Sequence, residues 1–381
     1  MGLKNFWYVA QLSSAITNKP KHISMLGEEF VLYRDSKSQV VALSNLCVHR
    51  GGFLADGRVE GDCIRCPYHG WKYGADGACV EIPANKPETP IPKLARIDAY
   101  PVEEKYGWVW LFLGDLPEPE RPPLPPLPEF GDSTWRAISG TFKWNASYTR
   151  VVENGLDISH LPFVHGFEPQ VLESSEVNLS NWSGSLRVDL KPPPSKGLWK
   201  YFTRQKGDPS VEAKATFYMP NVTRQDIHLP GKFKLILFGV HVPIDDRTTM
   251  TWWLQLRNFL TYAWADGDAR RRSLRAFLQD RSVVEAQRPE LLPYTLAVRS
   301  DALQIAYRQL HQKYLDMGWG VKQHLIESGD SGVQTVVIPS PIRRQIPELA
   351  KAWTTKAVGL DPESTIAVNS QEVTESIGVN K

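Results

Sequence analysis

Short apolar runs, each about the length of a strand, fill the first 114 residues. Glu29-Phe30-Val31-Leu32-Tyr33, Val40-Val41-Ala42-Leu43 and Gly107-Trp108-Val109-Trp110-Leu111-Phe112-Leu113 are the clearest, with Gly, Asp and Lys turns between them. The pattern predicts a small all-β domain over residues 1–114. Residues 115–130, DLPEPERPPLPPLPEF, contain seven prolines. Such a run is extended and semi-rigid, and it reads as a linker. Beyond it the periods mix. Lys232 to Ile244 and Thr248 to Leu256 read as strands, with Asp245-Asp246-Arg247 as the hairpin between them. Asp266 to Gln287 and Ser300 to Met317 carry the helical period, and Tyr148 to His165 reads as a helix disturbed at Pro162. Strands followed by helices predict an α+β domain with an antiparallel sheet over residues 131–344. Residues 345–381 are polar and weakly patterned, and are expected to form a surface extension.

Composition narrows the function classes. Hydrophobic residues make up 42% and charged residues 23% of 381, which is ordinary for a globular chain of two domains. The net charge is +2 with no long basic run, so neither nucleic acid nor an anionic membrane is an expected partner. The longest apolar stretch, Leu235 to Ile244, is interrupted by Gly239, His241 and Pro243 and is too short to span a bilayer. The chain runs almost at once into Asn5-Phe6-Trp7-Tyr8-Val9-Ala10, so no signal peptide is expected and a cytoplasmic location is. Thirteen tryptophans point to large aromatic cores. The four cysteines, Cys47, Cys63, Cys66 and Cys79, are too clustered to staple a secreted chain, and clustering of this kind suggests metal.

Two of those cysteines sit in a paired motif. Cys47-Val48-His49-Arg50-Gly51 and Cys66-Pro67-Tyr68-His69-Gly70-Trp71 give Cys-x-His, sixteen residues, then Cys-x-x-His. Two thiolates and two imidazoles suit tetrahedral zinc. Zinc fingers, however, usually pair Cys with Cys and His with His along the chain, whereas each arm here supplies one of each. A [2Fe–2S] cluster accounts for the split, with both cysteines on one iron and both histidines on the other. Gly51 and Gly70 are expected to let the backbone approach the cluster. Cys63 and Cys79 fall outside the pattern and read as buried hydrophobes.

A second motif follows the linker: Asp157-Ile158-Ser159-His160-Leu161-Pro162-Phe163-Val164-His165. Histidines five apart do not share a face of an ideal helix, being about 140° out of alignment. They converge on one ion if the helix is distorted, and Pro162 supplies a cause. Two histidines and a carboxylate form the facial triad of non-haem iron oxygenases, which leaves positions open for O₂ and substrate. Asp157, one turn before His160, is placed to orient that ring. His22, His228, His241, His311 and His324 show no ligand spacing.

CxHRG and CPYHGW match the Rieske motif position by position, and the order of motifs resembles the α-subunit of Rieske ring-hydroxylating oxygenases over roughly residues 5 to 310. It is most similar to the α-only O-demethylases and monooxygenases of the vanillate and dicamba type. There is a looser likeness to chlorophyllide a and phaeophorbide a oxygenases, but the chain has no cysteine after Cys79 and so lacks their C-terminal CxxC pair, and it also lacks their transmembrane tail. The resemblance implies a helix-grip catalytic domain, a Rieske cluster on Cys47, His49, Cys66 and His69, and a mononuclear Fe(II) on His160 and His165. It implies that Asp157 links His69 of one subunit to His160 of the next in a homotrimer. An NAD(P)H-dependent reductase, directly or through a ferredoxin, would feed a terminal oxygenase that hydroxylates, dihydroxylates or demethylates an apolar aromatic or cyclic small molecule. The competing readings are a Rieske electron carrier without oxygenase activity and a zinc-stabilised binding module.

With Asp157 in a bridging role, the iron needs a carboxylate from further along the chain. Asp245 and Asp246 fit a turn, and Asp266 and Asp268 fit a helix start. Asp280 differs, because Ala276, Phe277, Val283 and Val284 lie three and four residues away on a helix. A carboxylate in an apolar stripe needs a metal or another partner. The segment Gln279-Asp280-Arg281-Ser282-Val283-Val284-Glu285-Ala286 also resembles the one holding the third ligand in α-only Rieske oxygenases, so Asp280 is the expected third iron ligand.

Overall fold

The computed structural model describes residues 2–168, 176–191, 211–288, 296–321, 335–351 and 355–357. These fall into two compact units. Most of the C-terminal extension expected over 345–381, and His324, lie outside the described residues.

The first unit holds residues 1–124 and the described residues from Tyr314 onward. Its strands form small antiparallel sheets. One orders Val102–Lys105, Trp108–Leu113 and Phe6–Leu12; another orders Lys21–Met25, Glu28–Arg34 and Val40–Ser44. A four-stranded sheet orders Arg58–Glu60, Cys63–Arg65, Lys72–Tyr73 and Cys79–Glu81. Val31, Tyr33, Leu43, Val48, Leu54, Ile64, Trp71 and Tyr73 pack as one core beneath the two motif loops. Trp108 and Trp110 are fully buried, as the tryptophan count suggested.

The span 131–344 expected for the second domain ends too late. Gly2–Leu3 pairs with Gly320–Val321, and Phe6 packs edge-on against Tyr314 and Trp319. Arg343 is buried on Asp98 at 2.7 Å, and Asp98 also accepts from Ser340. Removing either partner would strand a buried charge, at a cost of about 3–5 kcal/mol. Beside this pair, Glu28 Oε2 accepts from the Ile338 amide, while the Tyr100 hydroxyl lies 2.8 Å from both Glu28 Oε1 and the Ile338 carbonyl. Burial pushes the Glu28 carboxyl up to about 8. The chain therefore returns to its first unit through buried polar contacts. The sequence did not show this return because charged residues such as Arg343 look solvated until the fold pairs them.

The second unit is built on a seven-stranded antiparallel sheet. Its order is Arg136–Trp144, Thr249–Arg257, Lys234–Pro243, Val222–His228, Val211–Tyr218, Ser183–Leu190 and Asn178–Leu179. Helices α1 (Tyr148–Leu156) and α2 (Leu161–Val164) precede most of the sheet. Helix α3 (Asp266–Val284) follows it, and α4 (Ala302–Asp316) belongs to the unit as far as Lys313. One long helix to His165, disturbed at Pro162, is replaced by two helices with the break upstream, at Asp157–His160. A proline ring clashes with the carbonyl four residues before it, here that of Ile158, and Pro162 itself sits comfortably at the start of α2.

Helix α1 lies on the strands Val211–Tyr218, Val222–His228 and Lys234–Pro243. Gln225 Nε2 donates to the Gly155 carbonyl at 2.8 Å, and Glu153 pairs with Arg308 of α4 through two contacts of 2.6 Å. Helix α3 packs Ala269, Phe277 and Val284 on Ile138, Phe142, Trp144 and Trp253. The ends of α1 and α3 that carry the motif residues are thus fixed to one sheet.

Candidate metal centres

The two Rieske-motif loops close in the same way. The Cys47 amide donates to Gly52 O and the Gly51 amide to Cys47 O; likewise the Cys66 amide donates to Trp71 O and the Gly70 amide to Cys66 O. Each loop needs a left-handed residue four places after its cysteine, and Gly51 at φ +68° and Gly70 at φ +71° supply it. Close approach to the site falls instead to Gly52, where a Cβ would lie 3.2 Å from Cys66 Sγ. The glycines expected to allow that approach serve the turn.

The loops bring like donors together. The Cys47 and Cys66 thiols are near enough to act on each other, while the rings of His49 and His69 stand 4.6 Å apart. The neighbouring Cys47, with the amides of Tyr68 and His69, pulls the Cys66 thiol below its usual value against its burial. The Tyr73 hydroxyl lies 3.0 Å from Cys47 Sγ. The His49 ring stacks on Trp71 with planes 5° apart, and its Nδ1 is buried without a hydrogen-bond partner. Burial and the neighbouring His69 and Arg50 hold His49 below the usual histidine value, keeping it neutral as a ligand must be. Two sulfurs on one side and two rings on the other fit a two-iron cluster. Cys79 is buried and Cys63 half-buried.

The second set comes from three places. His160 ends the break after α1, His165 follows α2, and Asp280 lies in the last turns of α3. Their donor atoms all lie within 4.8 Å of one another. Asp280 Oδ1 is 2.9 Å from His165 Nε2 and 3.5 Å from His160 Nε2. Ligands at right angles with bonds of about 2.1 Å stand roughly 3 Å apart, so these spacings suit one ion. Asp280 Oδ1 is buried and lacks an aligned hydrogen bond, which fits lone pairs converging on a common point. Burial lowers His165, but Asp280 and Gln279 outweigh it and raise the metal-free ring above the usual value.

The apolar stripe around Asp280 is only half as drawn from the sequence, since Val284 is fully buried but Val283 is exposed. Asp157 Oδ2 faces His160 Nδ1 at 3.5 Å, and its Oδ1 accepts from the Ser159 amide. Burial would raise Asp157, yet His160 and Ser159 hold it below the ordinary carboxylate range. Gln279, whose Oε1 lies 3.2 Å from His165 Nδ1, gave no signal in the sequence, and neither did Tyr73. His241 is a satisfied core residue between Thr223 and Thr251, and burial pushes it down to about 3. Among the described residues no helix is long and apolar enough to cross a membrane.

Comparisons with known proteins identify both domains. Residues 6–101 match the Rieske [2Fe-2S] domain, and residues 144–317 match the Vanillate O-demethylase oxygenase C-terminal domain. The chain is 40% identical over 315 residues to the iron-sulfur subunit of the toluene-4-sulfonate monooxygenase system of Comamonas testosteroni, across 75% of this chain and 88% of that one. It is 29% identical over 327 residues to the methylxanthine N1-demethylase NdmA of Pseudomonas putida, across 81% and 88%. The structure of NdmA from Pseudomonas putida CBB5 with caffeine superimposes with a TM-score of 0.70 at 25% identity, covering 84% of this chain and 93% of that chain. Dicamba monooxygenase bound to 3,6-dichlorosalicylic acid shares the fold, with a TM-score of 0.70 at 22% identity over 82% and 97% of the two chains.

Proposed function

This chain belongs to the Rieske non-haem iron oxygenases, and from that premise we propose that Cys47, His49, Cys66 and His69 hold its [2Fe–2S] cluster while His160, His165 and Asp280 hold its mononuclear iron. It is a terminal oxygenase component that hydroxylates or demethylates small molecules. The observation that carries the assignment is the pair of donor sets in one chain, each with a buried polar atom left without a hydrogen bond, His49 Nδ1 in one and Asp280 Oδ1 in the other. When bound, the cluster supplies electrons singly and the iron supplies open positions for O₂.

The chain's own residues set up that chemistry. Tyr73, whose proton is held by burial, donates to the Cys47 sulfur and offsets part of its charge. The Tyr68 and His69 amides do the same at Cys66. Asp157 stands behind His160 and turns Nε2 of that ring toward Asp280. Helices α1 and α3, pinned to the sheet, keep the three ligands in register.

The protein works in the cytoplasm as a homotrimer, fed by an NAD(P)H-dependent reductase directly or through a ferredoxin. In that assembly Asp157 links His69 of one subunit to His160 of the next. The resemblance to α-only oxygenases supports this reading, as does the exposed Tyr68 beside His69. The substrate is a small flat ring bearing a methyl group, the feature common to toluene-4-sulfonate and the methylxanthines named for two relatives. Hydroxylation of a methyl carbon gives an alcohol on a carbon ring; on nitrogen the product loses formaldehyde.

The test is a single turnover of reduced protein under ¹⁸O₂ with arylsulfonates and N-methylated purines. One labelled oxygen on the methyl carbon, or formaldehyde release, is expected. Oxidation of the cluster with no labelled organic product across a broad panel of methylated rings would count against the substrate class.

A further inference from the structure

Helix α3 holds both nitrogens of one imidazole. Asp280 Oδ1 lies 2.9 Å from His165 Nε2, and Gln279 Oε1 lies 3.2 Å from His165 Nδ1. Adjacent side chains on a helix diverge by about 100°, so this pair can straddle a ring that enters between them. His160 is backed in the same sense, with Nε2 toward Asp280 and Nδ1 toward Asp157. The two histidines differ in what stands behind Nδ1: a carboxylate for His160 and a neutral amide for His165.

We infer that Gln279 is a positioning residue for the iron site, its amide oxygen taking the Nδ1 proton of His165 and so leaving the Nε2 lone pair for the metal. The inference rests on reading His160, His165 and Asp280 as iron ligands. A neutral imidazole carries one N–H. If Nε2 gives its lone pair to a metal, the proton is on Nδ1 and needs an acceptor. Gln279 Oε1 is in place to accept it. The opposite orientation of the amide would set an NH₂ against an N–H, two donors face to face. A ring with no acceptor could take the other tautomer or turn about its bonds, and either change removes Nε2 from the metal. Gln279 is itself exposed. Water therefore competes for the same proton, which places the effect at the low end of the 10–100-fold range seen for such contacts.

The experiment uses the full chain with its Rieske cluster loaded, as wild type, Gln279→Leu and Gln279→Glu. Leucine removes the acceptor at similar volume; glutamate restores one. Each is titrated with Fe(II), and the high-spin nitrosyl signal after addition of nitric oxide is recorded. The expected result is that Q279L binds Fe(II) about tenfold more weakly and gives a nitrosyl signal of more than one species. Q279E is expected to bind at least as tightly as wild type with a single species. The reduced Rieske signal, unchanged in all three, reports that the chains are folded. Wild-type affinity and a wild-type nitrosyl signal in Q279L would overturn the inference. Equal loss in Q279E and Q279L would overturn it too, because a structural role would not be rescued by an acceptor. If wild type takes up no Fe(II) that Asp280→Ala abolishes, the iron-site reading falls and the inference with it; failure confined to Q279L leaves that reading standing.

Discussion

Asp157 Oδ2 stands 3.5 Å from His160 Nδ1, while the other nitrogen of that ring faces Asp280. The carboxylate is held ionised below the ordinary range, chiefly by His160 and the Ser159 amide acting against its burial. It therefore sits behind the proposed ligand His160 and outside the proposed ligand set. Its second oxygen is committed to backbone, which fixes the side chain at the break between α1 and α2.

Asp157→Asn should leave both metals bound and slow electron transfer to the mononuclear site by about 10–100-fold. A neutral amide keeps the shape but weakens the charge-assisted contact with His160. Single-turnover oxidation of a pre-reduced cluster with O₂ and substrate is the measurement. Wild-type rates would remove Asp157 from the electron path.

His69→Ala should abolish the Rieske signal. One open iron in a four-ligand cluster leaves it labile, and His49, the ring beside His69, belongs to the same proposed ligand set. Electron paramagnetic resonance of the reduced protein is the test. An unchanged rhombic signal with full sulfide content would refute the assignment.

How far these residues could be read from sequence depended on how local they are. Cys47, His49, Cys66 and His69 lie in two short loops with the same backbone closure, so spacing alone exposed them. His160 and His165 were legible because Pro162 announces a broken helix, although the break falls at Asp157–His160 for a steric reason the pattern did not locate. Asp280 showed through as a carboxylate among apolar neighbours, even with Val283 exposed. Gln279 looked like any helix-surface amide. Its partner is 114 residues away, and only the packing of α3 beside α2 makes the contact visible. Asp98 and Arg343 failed to show for a similar reason: charged residues read as surface until the fold pairs them.

Stability should depend on pH through Glu28. Its folded value is raised to about 8 from an unfolded value near 4.5, so the native state holds a proton that the unfolded state has lost between those limits. The stabilisation is full below the unfolded value and is lost as pH rises toward 8. The slope is at most about 1.4 kcal/mol per pH unit. A neutral Glu28 can donate to Tyr100 while Tyr100 donates to the Ile338 carbonyl and the Ile338 amide donates back, closing a ring of three bonds. Glu28→Gln should preserve a donor and an acceptor and flatten the loss. Urea midpoints at pH 6 and pH 8 decide it; equal pH dependence in both proteins would contradict the role of Glu28.

The central claim is that Asp280 completes an iron site separate from the cluster. Iron and acid-labile sulfide, measured per chain in wild type and in Asp280→Ala, test it most directly. Removing the buried carboxylate that faces both histidines should take away the mononuclear iron and leave the cluster, two-thirds of the original iron with all of the sulfide and an unaltered reduced Rieske signal. An Asp280→Ala protein with its full iron content and normal turnover would contradict the account.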